Sequence, residues 1–145
     1  MAITQAMTTS FKSEVLQEGH NLANGEDTIK IALYTSSATI DATTTAYSTT
    51  NEISGTGYTA GGVTLTNQLV ATANASASGG TAYFDADDPE WTSASFTAAG
   101  ALIYNSTNAD KAIAVLNFGG DFTVSSGTFR IVFPAAGTTA IVRID

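Results

Sequence analysis

Residues 91–121 read WTSASFTAAGALIYNSTNADKAIAVLNFGGD, and this stretch decides the fold class. Ala94, Phe96 and Ala98 alternate with Ser93, Ser95 and Thr97, the period of two that marks a strand with one buried face. Ala99-Gly100 interrupts the run and predicts a bulge or bend before a second strand over 101–105 (ALIYN). Residues 105–111 are rich in Asn, Ser and Asp, a turn composition. A short apolar run over 112–118 (AIAVLNF) follows, closed by Gly119-Gly120-Asp121. The reading is an antiparallel meander: strand, bend, strand, turn, strand.

Working outward, residues 28–36 (TIKIALYTS) make the strongest single strand. Ile29, Ile31 and Leu33 share one face, and Thr28, Lys30, Ala32 and Tyr34 the other. Val63, Leu65 and Asn67 alternate with Thr64 and Thr66, predicting another strand, and 69–77 can pair back through small residues. Ser78-Gly79-Gly80 is a hairpin turn leading into a strand at 81–85 (TAYFD). After the meander, 122–125 is a short strand, Ser126-Gly127 a turn, 128–133 (TFRIVF) a strand ended by Pro134, and 140–144 (AIVRI) the last strand. About eight to ten short strands between Gly-rich turns predict an all-β domain, an antiparallel two-sheet sandwich or flattened barrel.

The exceptions lie towards the N-terminus. Met7, Phe11 and Val15 fall at helical spacing behind Thr9 or Ser10 as cap, predicting one short helix to about Glu18, with Gly19 as its C′ residue. Residues 1–9 have no strong period and read first as a frayed terminus, with an arm or an added edge strand as the alternatives. Residues 20–27 (HNLANGED) are a turn, 37–54 a long Thr- and Ser-rich surface loop, and 56–62 a flexible Gly-dense segment.

At 145 residues the chain is expected to be one domain, long enough to bury about 70% of its unfolded surface. Roughly half of it is Ala, Thr, Ser and Gly, and only 12% is charged. That composition suits tightly packed sheets whose polar faces carry hydroxyls. Thirteen acids against five scattered bases, a net charge of -8, disfavour a nucleic-acid partner, which needs clustered Lys and Arg. No apolar run is long enough for a membrane helix, so no membrane partner is expected, and the opening residues lack the pattern of a secretion signal. With no Cys, disulfides and thiol catalysis are excluded.

Few side chains suggest chemistry. Asp85, Asp87, Asp88 and Glu90 are closely spaced oxygen ligands that could hold Ca²⁺, but the EF-hand spacing is absent and a solvated turn is the simpler reading. A glycosidase pair, with carboxylates about 5 to 9 Å apart, would need a burial for which this run gives no sign. His20 is the single histidine, read as a partly exposed residue beside a turn. Trp91 and Tyr104 can form a sugar platform, the basis of a carbohydrate-binding or adhesin-like alternative, or can pack in a core. No catalytic, cofactor or metal residue is assigned.

Several blocks resemble a family of small virion structural proteins of tailed bacteriophages and prophages. They are ITQAMTTSFKSEVLQ (3–17), DTIKIALYTSSATID (27–41), STTNEISGTGYTAGGVTLTN (48–67), ALIYNSTNADKAIAVLNFGGD (101–121) and FPAAGTTAIVRID (133–145). The likeness runs nearly end to end, with TTNEISGTGYTAGG and ALIYN its most specific parts; the acidic run DADDPE departs from it. The resemblance implies a non-enzymatic virion component, foremost a capsid decoration (cement) protein. It would bind the phage major capsid protein as a homo-oligomer such as a trimer, assembled in the host cytoplasm. A tail, neck or baseplate component is the alternative. The family pattern carries no catalytic residues.

Overall fold

The computed structural model describes residues 2–145; Met1 lies outside them. The strands are β1 (Ala6–Met7), β2 (Ile29–Tyr34), β3 (Val63–Thr64), β4 (Leu69–Ser76), β5 (Gly79–Asp85), β6 (Glu90–Asn105), β7 (Lys111–Arg130) and β8 (Val142–Ile144), with one helix, α1 (Thr9–Val15). They form two antiparallel sheets, of order β1-β7-β6-β2-β3 and β4-β5-β8. The fold is therefore the expected two-sheet all-β architecture with a short N-terminal helix; the sheets do not close into a barrel.

The core follows from strand alternation. Ile29, Ile31 and Leu33 point from β2 into a cluster that also takes Phe96, Ile103 and Ile113 from the larger sheet and Phe84 and Val142 from the smaller one. The opposite face of the larger sheet carries Ala32, Tyr34, Leu102, Tyr104, Ala112 and Val115, and is covered by Ala38 and Ile40, with Tyr47 and Ile3 packed alongside. β2 is thus buried on both faces, which is why its sequence is an almost continuous apolar run. Each fully buried Ile or Leu contributes about 1.5–3 kcal/mol relative to exposure, so the double-sided centre of this sheet anchors the molecule.

The meander is one long hairpin of β6 and β7, and its bend falls where Ala99-Gly100 places it, with the ladder shifting register between Ala98 and Gly100. A Cβ on Gly100 would lie 2.7 Å from the Leu116 carbonyl oxygen and 2.8 Å from Ile3 Cδ1, so glycine here lets Ile3 close on the strand. Two expected breaks are not breaks. Gly119-Gly120-Asp121 and Ser126-Gly127 both lie within β7, which runs unbroken for 20 residues. They are bulges: β7 advances from Asn117 to Phe122 while β6 advances only from Ala98 to Gly100, and Gly119 (φ +85°) and Ser126 (φ +48°) take up the left-handed conformation this requires.

Other local expectations shift. Residues 37–54 do form a surface loop, but an anchored one: Ala38 and Ile40 are buried against the second face of the larger sheet and Ile53 in the main core, so the segment acts as a lid on that face. The 56–62 segment is pinned rather than loose, since a Cβ on Gly62 (φ +76°) would fall 1.8 Å from the Ile31 carbonyl oxygen. The strand expected over 63–67 shortens to β3. The last strand likewise shortens to β8. The 128–133 strand is the end of β7, which stops at Arg130.

Residues 2–9 take the edge-strand alternative. Ala6 and Met7 pair with Val115 and Ala114, and Ile3 bridges to Ile40. Thr8, not Thr9 or Ser10, caps α1: its hydroxyl accepts from the Phe11 N–H (3.3 Å) and donates to the Ala112 carbonyl (3.0 Å), and the residue is fully buried. The helix ends at Val15, and the left-handed residue beyond it is Glu18 (φ +59°), one position before the expected Gly19. Gly19 N–H then closes on the Glu14 carbonyl at 2.7 Å in a Schellman arrangement.

Candidate binding surface

The acidic run is dispersed by the fold. Asp85 ends β5 and Glu90 starts β6, so 86–89 is the crossover between the sheets. Asp87 accepts from the Asn67 amide, and Asp88 Oδ1 accepts from the Phe133 N–H at 2.8 Å. Glu90 Oε2 accepts from Arg130 Nη2 at 2.8 Å and Nε at 3.1 Å, tying the outer ends of β6 and β7 together. Three of the four carboxylates thus hold the crossover to its neighbours. Asp85 Oδ1 is buried without a partner. Among the described residues, no three His, Cys, Asp or Glu side chains converge as metal ligands.

His20 is not the partly exposed ring expected; its side chain is fully buried. The cause is Asn105, the last residue of β6, itself fully buried. Asn105 Oδ1 accepts from the Thr107 and Asn108 N–H groups (3.1 Å each), which fixes its amide so that Nδ2 donates to Asp27 Oδ2 (2.7 Å) and His20 Nδ1 (3.0 Å). Nδ1 is therefore an acceptor, the proton sits on Nε2, and Nε2 donates to Glu14 Oε1 at 3.2 Å. Lys111 Nζ reaches the other Glu14 oxygen at 3.3 Å. The network fastens α1 and the 20–27 turn to the β6–β7 turn. Every polar atom it uses is engaged in holding the fold.

A second cluster lies under the 37–54 lid. Glu52 accepts from the Tyr58 hydroxyl (2.6 Å), the Tyr47 hydroxyl (2.7 Å) and the Gly61 N–H (2.7 Å). Tyr58 in turn accepts from the Leu33 N–H of β2 (2.9 Å), while Tyr104 donates to Gly61 O and Tyr34 to Ser48 O (both 2.7 Å). Tyr47 stacks on Tyr104 with centroids 4.7 Å apart. Burial, first of all, raises these phenols. Tyr104 is pushed up to about 12, with the charges of Asp110 and Glu52 adding to the effect. Tyr34, Tyr47 and Tyr58 are held well above the ordinary phenol value by desolvation, the latter two also by donating to Glu52. They remain protonated donors that staple the lid to the sheet.

Trp91 and Tyr104 are 3% and 2% exposed, so neither offers a face to a sugar. Trp91 packs edge-on against Phe96 and Phe129. The core alternative holds for both.

What the fold leaves open is its outside. β1 pairs with β7 only at Ala114 and Val115. Asn117 still holds the N-terminal segment, its N–H on Gln5 Oε1 and its amide on the Ile3 carbonyl, but beyond Gly119 β7 has β6 on one side and, among the described residues, no strand on the other, leaving a free edge over residues 120–130. Its flanking hydroxyls are exposed, including the Thr97–Thr123 pair (2.7 Å) across the hairpin. Beside it Phe122 (52% exposed) and Val132 (73%) rim a shallow hollow of about 260 Å³ with Phe118, Phe129 and Ile131. Bulges at Gly119 and Ser126 limit indiscriminate pairing of such an edge. Gly119-Gly120 and Ser126-Gly127 have the composition of turns and so mask this long edge; the alternation of Phe122 and Val124 is its signal in the sequence. No family model, curated protein or solved structure matches the chain.

Proposed function

We propose that this chain is a structural component of a tailed-phage virion, and within that class a capsid decoration protein that binds across capsomers and stabilises the head. The class is supported by the sequence blocks that resemble such proteins, and by a fold whose polar clusters are spent on holding it together. The single observation that carries the surface assignment is the open edge of β7 beside the Phe122–Val132 hollow. An edge of this kind accepts a strand from a neighbour through backbone hydrogen bonds, while adjacent apolar side chains supply affinity.

The mechanism is linkage. A protein that binds the joined shell and not the separated subunits stabilises the joined state by mass action. Copies arranged as a homo-oligomer around a local symmetry axis gain further by multivalency, so each contact can be modest. A net charge of -8 keeps the protein off nucleic acid during assembly. The major capsid protein is the partner and the virion the location.

Counting copies in purified particles by quantitative mass spectrometry tests the reading. Hundreds per particle fit decoration of the head. A few dozen or fewer place the protein in the tail, neck or baseplate, and absence from the particle removes the virion assignment.

A further inference from the structure

A second open feature lies away from the β7 edge. Between α1, β1 and β8 runs a groove of about 630 Å³. Met7, Val15, Leu116 and Ile141 give it an apolar lining, and Lys12 and Arg143 also line it. β1 ends the larger sheet and β8 ends the smaller one, so each brings a terminal strand of its sheet to this seam. At the mouth Leu16 is 87% exposed and Ile144 49% exposed, apolar side chains that the fold itself does not cover.

The charges are the informative part. The chain has five bases and thirteen acids. Among the described residues, Lys111 pairs with Glu14 and Arg130 with Glu90, while Lys12, Lys30 and Arg143 make no ion pair; of these three, Lys12 and Arg143 share the groove. Arg143 Nη1 donates only to the Ala140 carbonyl, and the Asp145 side chain at the groove's end is engaged by the Thr81 hydroxyl rather than by either cation. An acidic protein thus places two unpaired cations on one apolar groove. We propose that this groove docks an extended segment of another protein, one that carries apolar side chains for the lining and carboxylates for Lys12 and Arg143, and that adds to the β8 or β1 edge as a strand. A second copy would bring to the groove the same two cations and only one lining carboxylate, Asp145, which the Thr81 hydroxyl already holds, so charge complementarity selects a foreign acidic segment. The proposal does not depend on the virion assignment.

The test uses the full chain and a short capped peptide alternating valine and glutamate, with a valine–lysine peptide as control. Binding of the acidic peptide should shift the amide resonances of Ala6, Met7 and Val142–Ile144, weaken with added salt, and be absent for the basic peptide. The variant K12E/R143E should lose about tenfold or more in affinity while keeping a dispersed amide spectrum, because both side chains are exposed; K12Q/R143Q should lose less. Leu16→Asp should also weaken binding. Absence of shifts at those residues, equal binding of the two peptides, or affinity unchanged in both charge variants overturns the proposal. So does a change of self-association in K12E/R143E by light scattering, which would make the occupant a second copy.

Discussion

Gly62→Ala separates steric exclusion from backbone strain, and Gly119→Ala is its built-in control. The two glycines have similar positive φ, +76° and +85°. A Cβ at Gly119 meets nothing within 4 Å; at Gly62 it falls 1.8 Å from the Ile31 carbonyl oxygen, 2.6 Å from its carbon and 2.8 Å from Ala32 Cα. Placing an L-residue in the left-handed region costs about 1–2 kcal/mol, and that is the whole expected loss at Gly119. At Gly62 the obstacle is the backbone of β2, buried on both faces, so β3 must move away from it and the Leu65–Ile29 backbone bond (2.8 Å) goes with it. We expect a loss of about 3–5 kcal/mol, a large part of the roughly 5–15 kcal/mol that holds a domain together. By urea titration the midpoint should fall modestly for Gly119→Ala and far more for Gly62→Ala, with a melting temperature lower by about 6–20 °C at roughly 2–4 °C per kcal/mol. Equal losses for the two variants would refute the packing of 61–62 against β2.

Further outcomes follow from the same structure. Glu18→Gly should stabilise the protein by about 0.5–1 kcal/mol in urea titration, because Glu18 occupies a left-handed position that glycine adopts freely. Asn105→Ala should cost about 2–4 kcal/mol, since it orphans the Thr107 and Asn108 N–H groups and removes donors from Asp27 and His20 in a fully buried site. The tyrosine cluster sets an alkaline limit: phenols raised in the folded state ionise first in the unfolded chain, so their stabilisation is complete below about pH 10 and is lost as pH rises above it. Ultraviolet titration should show Tyr34, Tyr47, Tyr58 and Tyr104 ionising together with unfolding; ionisation of all four in a still-folded protein would contradict the cluster.

The parts of this fold legible in the sequence are those where side-chain period and burial coincide. β2 shows it, with Ile29, Ile31 and Leu33 facing one core and Ala32 and Tyr34 the other. The β4–β5 hairpin is legible as well, although its turn is Ala77-Ser78, and Gly79-Gly80, expected in the turn, already belong to β5. Glycine misled in β7, because the same residue supplies the positive φ of a turn and of a bulge, and only the partner strand decides between them. Residues 37–54 lack a period because they cover a sheet instead of joining one, so isolated Ala38, Ile40 and Ile53 gave no pattern to read. Thr8, Thr9 and Ser10 are equivalent caps by type; Thr8 is chosen by the Ala112 carbonyl, more than a hundred residues away. His20 is buried by Asn105 in the same long-range manner. The candidate surface was legible least, since an open edge is defined by the strand that is missing beside it.

Hydrogen–deuterium exchange along β7 tests the central claim most directly. In the free protein the amides of residues 120–130 that face away from β6 should exchange fast, and on addition of purified phage heads, the proposed partner, they should become protected together with the surroundings of Phe122 and Val132. Unchanged exchange along that edge in the bound protein, with protection confined to another face, would contradict the account.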